Sequence, residues 1–426
     1  MFKYVIFATI LISVVCIGES YGQPEISGVT GAFRDGESVT ISGASFGTKA
    51  KPDPLFWCDF EKGKLGEEVT TDRNWTETTD NWTSAIDQRN VTYSNENALP
   101  GSSLSSRHEM DGDCTQWEGW LARNGYMKKY FAEPMQKVYI SFWVRYNHGT
   151  EAETHQIKLW RIESHEDEWM TIKNIHYFYN PPLGDVTDGH NYGRQTGFDG
   201  IVTSHGYNSL LSPENDAWYQ VNFKLLQSSV GVADGSVEIW HSHSYGSSEP
   251  FVKVINLPDI VTRSNSNYLN TVVLGEVCTN LSCGVTCDAV QYFDSFYLDN
   301  TWARVEIGNA PTWDACTYRE VQLPSEWLGS SITVTANTGC IPHGSAYLYV
   351  SDAEGVHNTN GYPITIESSP GWLYNVANRW QAGTLTRSDV DRALYWNIKG
   401  IPPPENPMAE LTEDDLGDLI MIFKTE

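Results

Sequence analysis

The sequence predicts an all-β protein: one large antiparallel β-sandwich, smaller β modules on either side, and a short helical hairpin at the C-terminus. Three observations lead there. Apolar and polar residues alternate with a period of two over long stretches, so that one face of each strand is buried. Apolar residues at helical spacing are almost absent before the C-terminal tail. The chain also holds 16 Trp, 22 Tyr and 35 Gly with only 19% charged residues, a mix that suits pleated, half-buried surfaces broken by turns.

Residues 1–22 read as a secretory signal peptide. Lys3 precedes an apolar run from Tyr4 to Gly18, and a small-x-small site follows at Ser20–Gly22. The run is shorter than the roughly 20 residues a membrane-spanning helix needs. No later stretch is long and apolar enough to span a bilayer either, so membrane insertion is not expected and the mature chain is expected outside the cell or at its surface. The net charge of −26, from 54 acidic against 28 basic residues, lacks the basic footprint of a nucleic-acid partner.

Residues 23–53 alternate in short runs between Gly turns, so they are β structure. Their stretch G-E-S-V-T-I-S-G-A-S-F-G, from Gly36 to Gly47, resembles the start of an IPT/TIG domain, an immunoglobulin-like sandwich. From residue 54 to 308 the strands lengthen. In Lys137–Asn147, Val138, Ile140, Phe142, Val144 and Tyr146 fall on one face and Tyr139, Ser141, Trp143, Arg145 and Asn147 on the other. Trp218–Leu226 and the stretch S-V-E-I-W-H-S repeat the pattern. A span of this length with such strands is one large sandwich. Its stretches A-W-Y-Q-V-N-F-K-L-L, G-V-A-D-G-S-V-E-I-W and Y-F-D-S-F-Y-L-D-N-T-W-A-R-V-E-I-G-N resemble the concanavalin A-like lectin/glucanase jelly roll, in the variants found in polysaccharide lyases and their non-catalytic relatives.

Residues 309–368 alternate again and read as a separate small immunoglobulin-like sandwich. In 369–426, L-T-R-S-D-V-D-R-A-L at 385–394 and L-T-E-D-D-L-G-D-L-I at 411–420 form a repeat with Thr N-caps and helical spacing, resembling a degenerate dockerin pair. Trp380 and Ala382 stand where that family has calcium ligands, so calcium is not expected there. The flanking modules and the tail could serve attachment to a protein partner or self-association. After removal of the signal, seven cysteines remain, and an oxidising compartment favours pairing. Cys316–Cys340 and Cys58–Cys114 are the expected disulfides.

Two functional constellations follow. The faces opposite the apolar ones carry Tyr139, Trp143, Arg145, Gln156, Lys158, Trp160 and Trp240, which would stack on sugar rings and bond hydroxyls or carboxylates in a groove. The leading expectation is therefore a polysaccharide-binding, lectin-like protein. The alternative is a polysaccharide lyase. The resemblance to alginate-lyase-type jelly rolls rests on S-S-R-H-E-M and H-Q-I-K-L-W, and it implies Arg107, Gln156 and Lys158, with a loop tyrosine such as Tyr192, as working residues. Lys158 stands where that family has its histidine, and the family's late tyrosine-rich strand is missing. Glu166 and Glu168 do not complete a retaining-glycosidase signature, so a polar turn is expected there. A third expectation is a structural surface or filament subunit. No cofactor is required. Glu61 and Asp294 resemble positions at which such jelly rolls hold a structural calcium.

Overall fold

The computed structural model describes residues 22–69, 91–113, 123–124, 126–131, 133–147, 156–163, 174–179, 192–198, 201–207, 216–263, 266–275, 278–279, 286–287 and 290–367. Residues 1–21 of the expected signal peptide, residues 164–169, where a polar turn is expected, and the C-terminal repeats lie outside them. Two strands open the described chain, β1 (Glu25–Thr30) and β2 (Ser38–Ala44). Next come β3 (Phe56–Cys58), β4 (Thr92–Ser94), β5 (Ser105–Asp113), β6 (Arg123–Asn124), β7 (Met127–Tyr130), β8 (Lys137–Asn147), β9 (Gln156–Glu163) and β10 (Asn174–Tyr179). They are followed by β11 (Tyr192–Phe198), β12 (Ile201–Tyr207), β13 (Trp218–Leu226), β14 (Gly235–His241), β15 (Val252–Ile260), β16 (Thr271–Leu274), β17 (Cys278–Thr279), β18 (Thr286–Cys287) and β19 (Val290–Asp299). The last group is β20 (Arg304–Gly308), β21 (Arg319–Val321), β22 (Leu323–Leu328), β23 (Ser331–Thr335), β24 (Gly344–Ser351) and β25 (Tyr362–Ile366).

The large body is a jelly-roll sandwich of two antiparallel sheets. One runs β15-β14-β13-β8-β19-β5-β18, with β3 paired to β19 and β4 and β6 to β5. The other runs β12-β11-β10-β9-β16-β7, with β17 paired to β9. Alternation along β8 and β13 turns Ile140, Phe142, Val221 and Phe223 inward, where they meet Trp160 and Ile162 of β9 and Val272 and Leu274 of β16 in one core cluster. Trp160 is fully buried, with its ring edge-on to Phe223 at 4.9 Å and to Phe142 at 6.0 Å. The sequence expectation that Trp160 binds sugar is thereby corrected.

The two small modules expected at 23–53 and 309–368 are one sandwich. β2 pairs along its length with β23, from Ser38 opposite Thr335 to Ser42 opposite Ser331. The sheet β1-β2-β23-β22 closes on the sheet β21-β20-β24-β25, and Val39, Ile41, Phe46, Val305, Ile307, Ile332, Val334, Leu348 and Val350 fill the space between. β20 belongs to this sandwich, so the boundary falls before Arg304 and not after residue 308. The physical reason is burial: Val39 and Ile41 on a two-stranded ribbon would stay wet, and the strands that cover them come after the jelly roll in sequence. The jelly roll is inserted into the small domain.

Cys316 and Cys340 are both free thiols. Cys316 Sγ lies beside Thr312 O at 3.5 Å, while Cys340 Sγ donates to Glu320 Oε1 at 3.0 Å in a different cluster. The expected bridge between them is not formed, and Cys114, the expected partner of Cys58, lies outside the described residues. No helix among the described residues is long and apolar enough to cross a membrane.

Candidate functional site

The outer face of the ten-stranded sheet carries the residues that alternation assigned to it, but it is not an open groove. The small sandwich lies on it. Tyr139 and Trp143 are each 1% exposed. The Tyr139 hydroxyl sits 3.2 Å from Glu306 Oε1, and Trp143 Nε1 donates to Glu320 Oε1 at 3.1 Å. Gln220 bonds both backbone groups of Arg319, accepting from its N–H at 3.0 Å and donating to its carbonyl. Half-buried Trp240 stands edge-on to Trp313 at 5.9 Å, and the Lys224 ammonium lies 3.9 Å from the ring centre of Trp302. The expectation that Tyr139, Trp143 and Trp240 stack on sugars is corrected: they fasten one domain to the other. Aromatic rings beside polar groups serve a buried polar interface as well as a sugar subsite, and their sequence pattern is the same.

Ion pairs complete that interface. Glu306 is held by Arg304 at 3.0 Å, Arg319 at 3.5 Å and Trp313 Nε1 at 3.0 Å. Burial alone would raise its carboxyl, but the two guanidinium groups more than offset this and hold it at about 2. Lys49, from the small domain's first segment, pairs with Asp299 of β19 at 2.7 Å, with both side chains almost fully buried.

Arg107 and Lys158 fall on different sheets. Arg107 pairs across β5 and β19 with Tyr292, which pairs onward with Arg145 of β8, all in the ten-stranded sheet. Its guanidinium is already engaged by Glu96 at 3.2 Å and by Glu109. Arg145 is paired with Asp216 at 2.8 Å. Of the lyase set, Arg107 thus stands on β5 of the ten-stranded sheet, and Gln156 and Lys158 on β9 of the seven-stranded one. Gln156 pairs with Thr279, and Tyr192 with Tyr207 in the β11–β12 hairpin.

The other candidate is the outer face of the seven-stranded sheet, where Thr271 and Val273 of β16 are themselves buried. Val272 pairs with Ile162, and Leu274 with Trp160; all four belong to the core. The row between them therefore lies on the opposite face, by the period of the pleat. That row runs Lys128–Val273–Arg161–His176 across β7, β16, β9 and β10. The pairing of β10 with β9 then shifts by one residue: Tyr177 is opposite Trp160, but Phe178 is opposite Lys158. A bulge at Leu159 breaks the i, i+2 rule that had put positions 158 and 160 on one face. Along β10 positions 176 and 178 share a face, so the row Phe178–Lys158 falls on the outer one. The next outer row on the other side is Tyr130–Thr271–Glu163. Lys128, Arg161 and His176 escaped the sequence reading because cross-strand register between segments far apart in sequence has no local signal.

The Glu61 and Asp294 carboxyls stand near one another. Glu61 Oε1 accepts the N–H groups of Ser103 at 2.6 Å and Leu104 at 2.9 Å. Asp294 accepts Ser295 N–H at 2.6 Å through Oδ1, while its buried Oδ2 makes no hydrogen bond. Burial, and then Glu61, push the Asp294 carboxyl well above its usual range. The bare oxygen suits a cation, yet among the described residues no three His, Cys, Asp or Glu side chains are grouped as a metal site requires.

No family model matches the chain, and no curated protein matches it. Among solved structures it is similar to the alginate lyase Aly36B, at 11% identity and a TM-score of 0.41, covering 59% of this chain and 98% of that one. It is also similar to the marine PL-14 alginate lyase from Aplysia kurodai, at 12% identity and a TM-score of 0.36, covering 49% and 86%. The endo-1,3-beta-glucanase from Streptomyces sioyaensis is matched at 12% identity and a TM-score of 0.33, covering 59% and 97%.

Proposed function

We propose that the protein is a secreted polysaccharide-binding protein that holds an acidic glycan on the outer face of the seven-stranded sheet. The observation that carries this reading is the register row Lys128–Val273–Arg161–His176, with Lys158 in the next row but one. In a chain of net charge −26, gathering two lysines, an arginine and a histidine on neighbouring strands is a local reversal of sign. Strands lie about 4.8 Å apart, so Lys128 and Arg161 are spaced by about 10 Å, which suits successive carboxylates of an extended uronate chain. A guanidinium engages a carboxylate through two parallel hydrogen bonds, and Tyr130 in the adjacent row offers a ring for stacking.

A second reading, a polysaccharide lyase, is favoured by one feature of the same face. Lys158 and His176 are groups that can remove a proton beside a carboxylate, and Arg161 is one that can neutralise that carboxylate.

Affinity electrophoresis against alginate, polygalacturonate and a neutral glucan tests the first reading. Retardation by the acidic glycans, weakened by added salt and lost in Arg161→Ala and Lys128→Ala, is expected; equal behaviour on neutral and acidic glycans would sink it. A rise in ultraviolet absorbance from the unsaturated product supports the lyase, and a flat trace across a panel of uronates removes it.

A further inference from the structure

The interface between the two sandwiches contains two buried glutamates in opposite settings. Glu306 is locked as an anion between Arg304 and Arg319. Glu320, on β21, makes no ion pair among the described residues. Its partners are neutral donors that all converge on Oε1: Trp143 Nε1 at 3.1 Å from the jelly roll, and Cys340 N–H at 3.3 Å and Sγ at 3.0 Å from the β23–β24 loop. Backbone closes over it. Gly339 is so near that a Cβ there would fall 2.3 Å from Glu320 Cδ, and Gly101 of the jelly roll meets Gly339 O as closely.

We propose that Glu320 makes the contact between the two sandwiches a proton-controlled latch, closed while its carboxyl is neutral and loosened when the carboxyl ionises. The groups facing it cannot supply a compensating charge. Cys340 is held well above its usual thiol value by burial and then by Glu320 itself, so it stays a neutral donor. Tyr245 and Tyr318, packed on the same cluster, are pushed upward by burial and stay neutral too. Asp35, from the β1–β2 loop, adds repulsion, and Asp294 of β19 acts on Cys340, raising its thiol further. Burial is the main cause that raises Glu320 from 4.5 to about 7, against the pull of its three donors.

The sign follows from linkage. Below 4.5 the carboxyl is neutral whether the domains are docked or apart, and the contact is at full strength. As pH rises from 4.5 to about 7, the separated state loses the proton while the docked state retains it, so docking weakens. Above about 7 the deficit is constant. Tenfold for each pH step over that window gives a change on the order of a few hundred-fold in the docking equilibrium.

Glu320→Gln keeps the acceptor at Oε1 and removes the titration. Urea unfolding of the full chain and of E320Q from pH 4 to 8, with hydrogen exchange followed at segments 99–104 and 337–341, tests the latch. The wild type should lose stability relative to E320Q as pH rises through the window, with the loss saturating above about 7 and faster exchange confined to those two segments. A difference that is constant with pH, or that changes in the opposite direction, overturns the proposal. Trp143→Phe supplies a second variant, which decides the matter if E320Q does not fold. It deletes a donor that favours the ionised form, so the window must move to higher pH, and an unmoved window also overturns it.

Discussion

Replacing Glu306 with Gln should be among the most damaging single changes in the molecule. Its carboxylate is 1% exposed and joins Arg304, Arg319, Trp313 and Tyr139 at one point between the domains. Glutamine keeps the volume but leaves two guanidinium groups buried without an anion. The gap between the ordinary value of 4.5 and about 2 corresponds to about 3 kcal/mol of stabilisation of the charged form. Removing one partner of a buried ion pair costs about 3–5 kcal/mol in general, which agrees. The carboxyl is depressed on folding, so its contribution is present above 4.5 and fades as pH falls towards 2. Urea unfolding at pH 7 should show E306Q weaker by about 3 kcal/mol, with the gap to wild type narrowing in strong acid. A loss below about 1 kcal/mol at pH 7 would refute the reasoning, because that is the range of an exposed pair.

Three further outcomes are expected. Trp160→Ala should lower stability by about 3–5 kcal/mol, because it empties a site between Phe142 and Phe223; glycan binding lost with no change in unfolding would contradict the core placement. Gly101→Ala should destabilise by more than about 1 kcal/mol, since Gly101 sits at φ 104° and a Cβ there would lie 2.2 Å from Gly339 O. Thermal melts that match wild type would show that the loop can give way. A structural calcium held by Glu61 and Asp294 would make the melting temperature fall on chelation, and Asp294→Asn would abolish that response; a transition indifferent to chelator excludes the ion.

The class of fold was legible because period-two alternation is a local signal. Val138, Ile140, Phe142 and Val144 had to share a face in any sheet, and they do. What covers the other face was not legible. Tyr139, Trp143, Gln220 and Trp240 look the same whether a sugar or another domain lies on them, and only the return of the chain at β20 and β21 decides which. The unity of the small domain is hidden in the sequence for the same reason, since β2 finds its partner β23 almost 300 residues later. Lys158 shows a third limit. One bulge at Leu159 shifts the faces along β9, so Trp160 goes to the core while position 158 does not follow it. The row of Lys128, Arg161 and His176 draws on three separate segments, and no window of sequence contains it.

The proposed function puts ligand uptake on the seven-stranded sheet and not on the sheet roofed by the second domain. Hydrogen–deuterium exchange with and without an oligouronate tests it most directly. Protection should appear at 127–130, 156–163 and 271–274, and should be absent at 137–147 and 218–226. Protection confined to the latter two strands, or none anywhere at saturating oligouronate, would contradict the account.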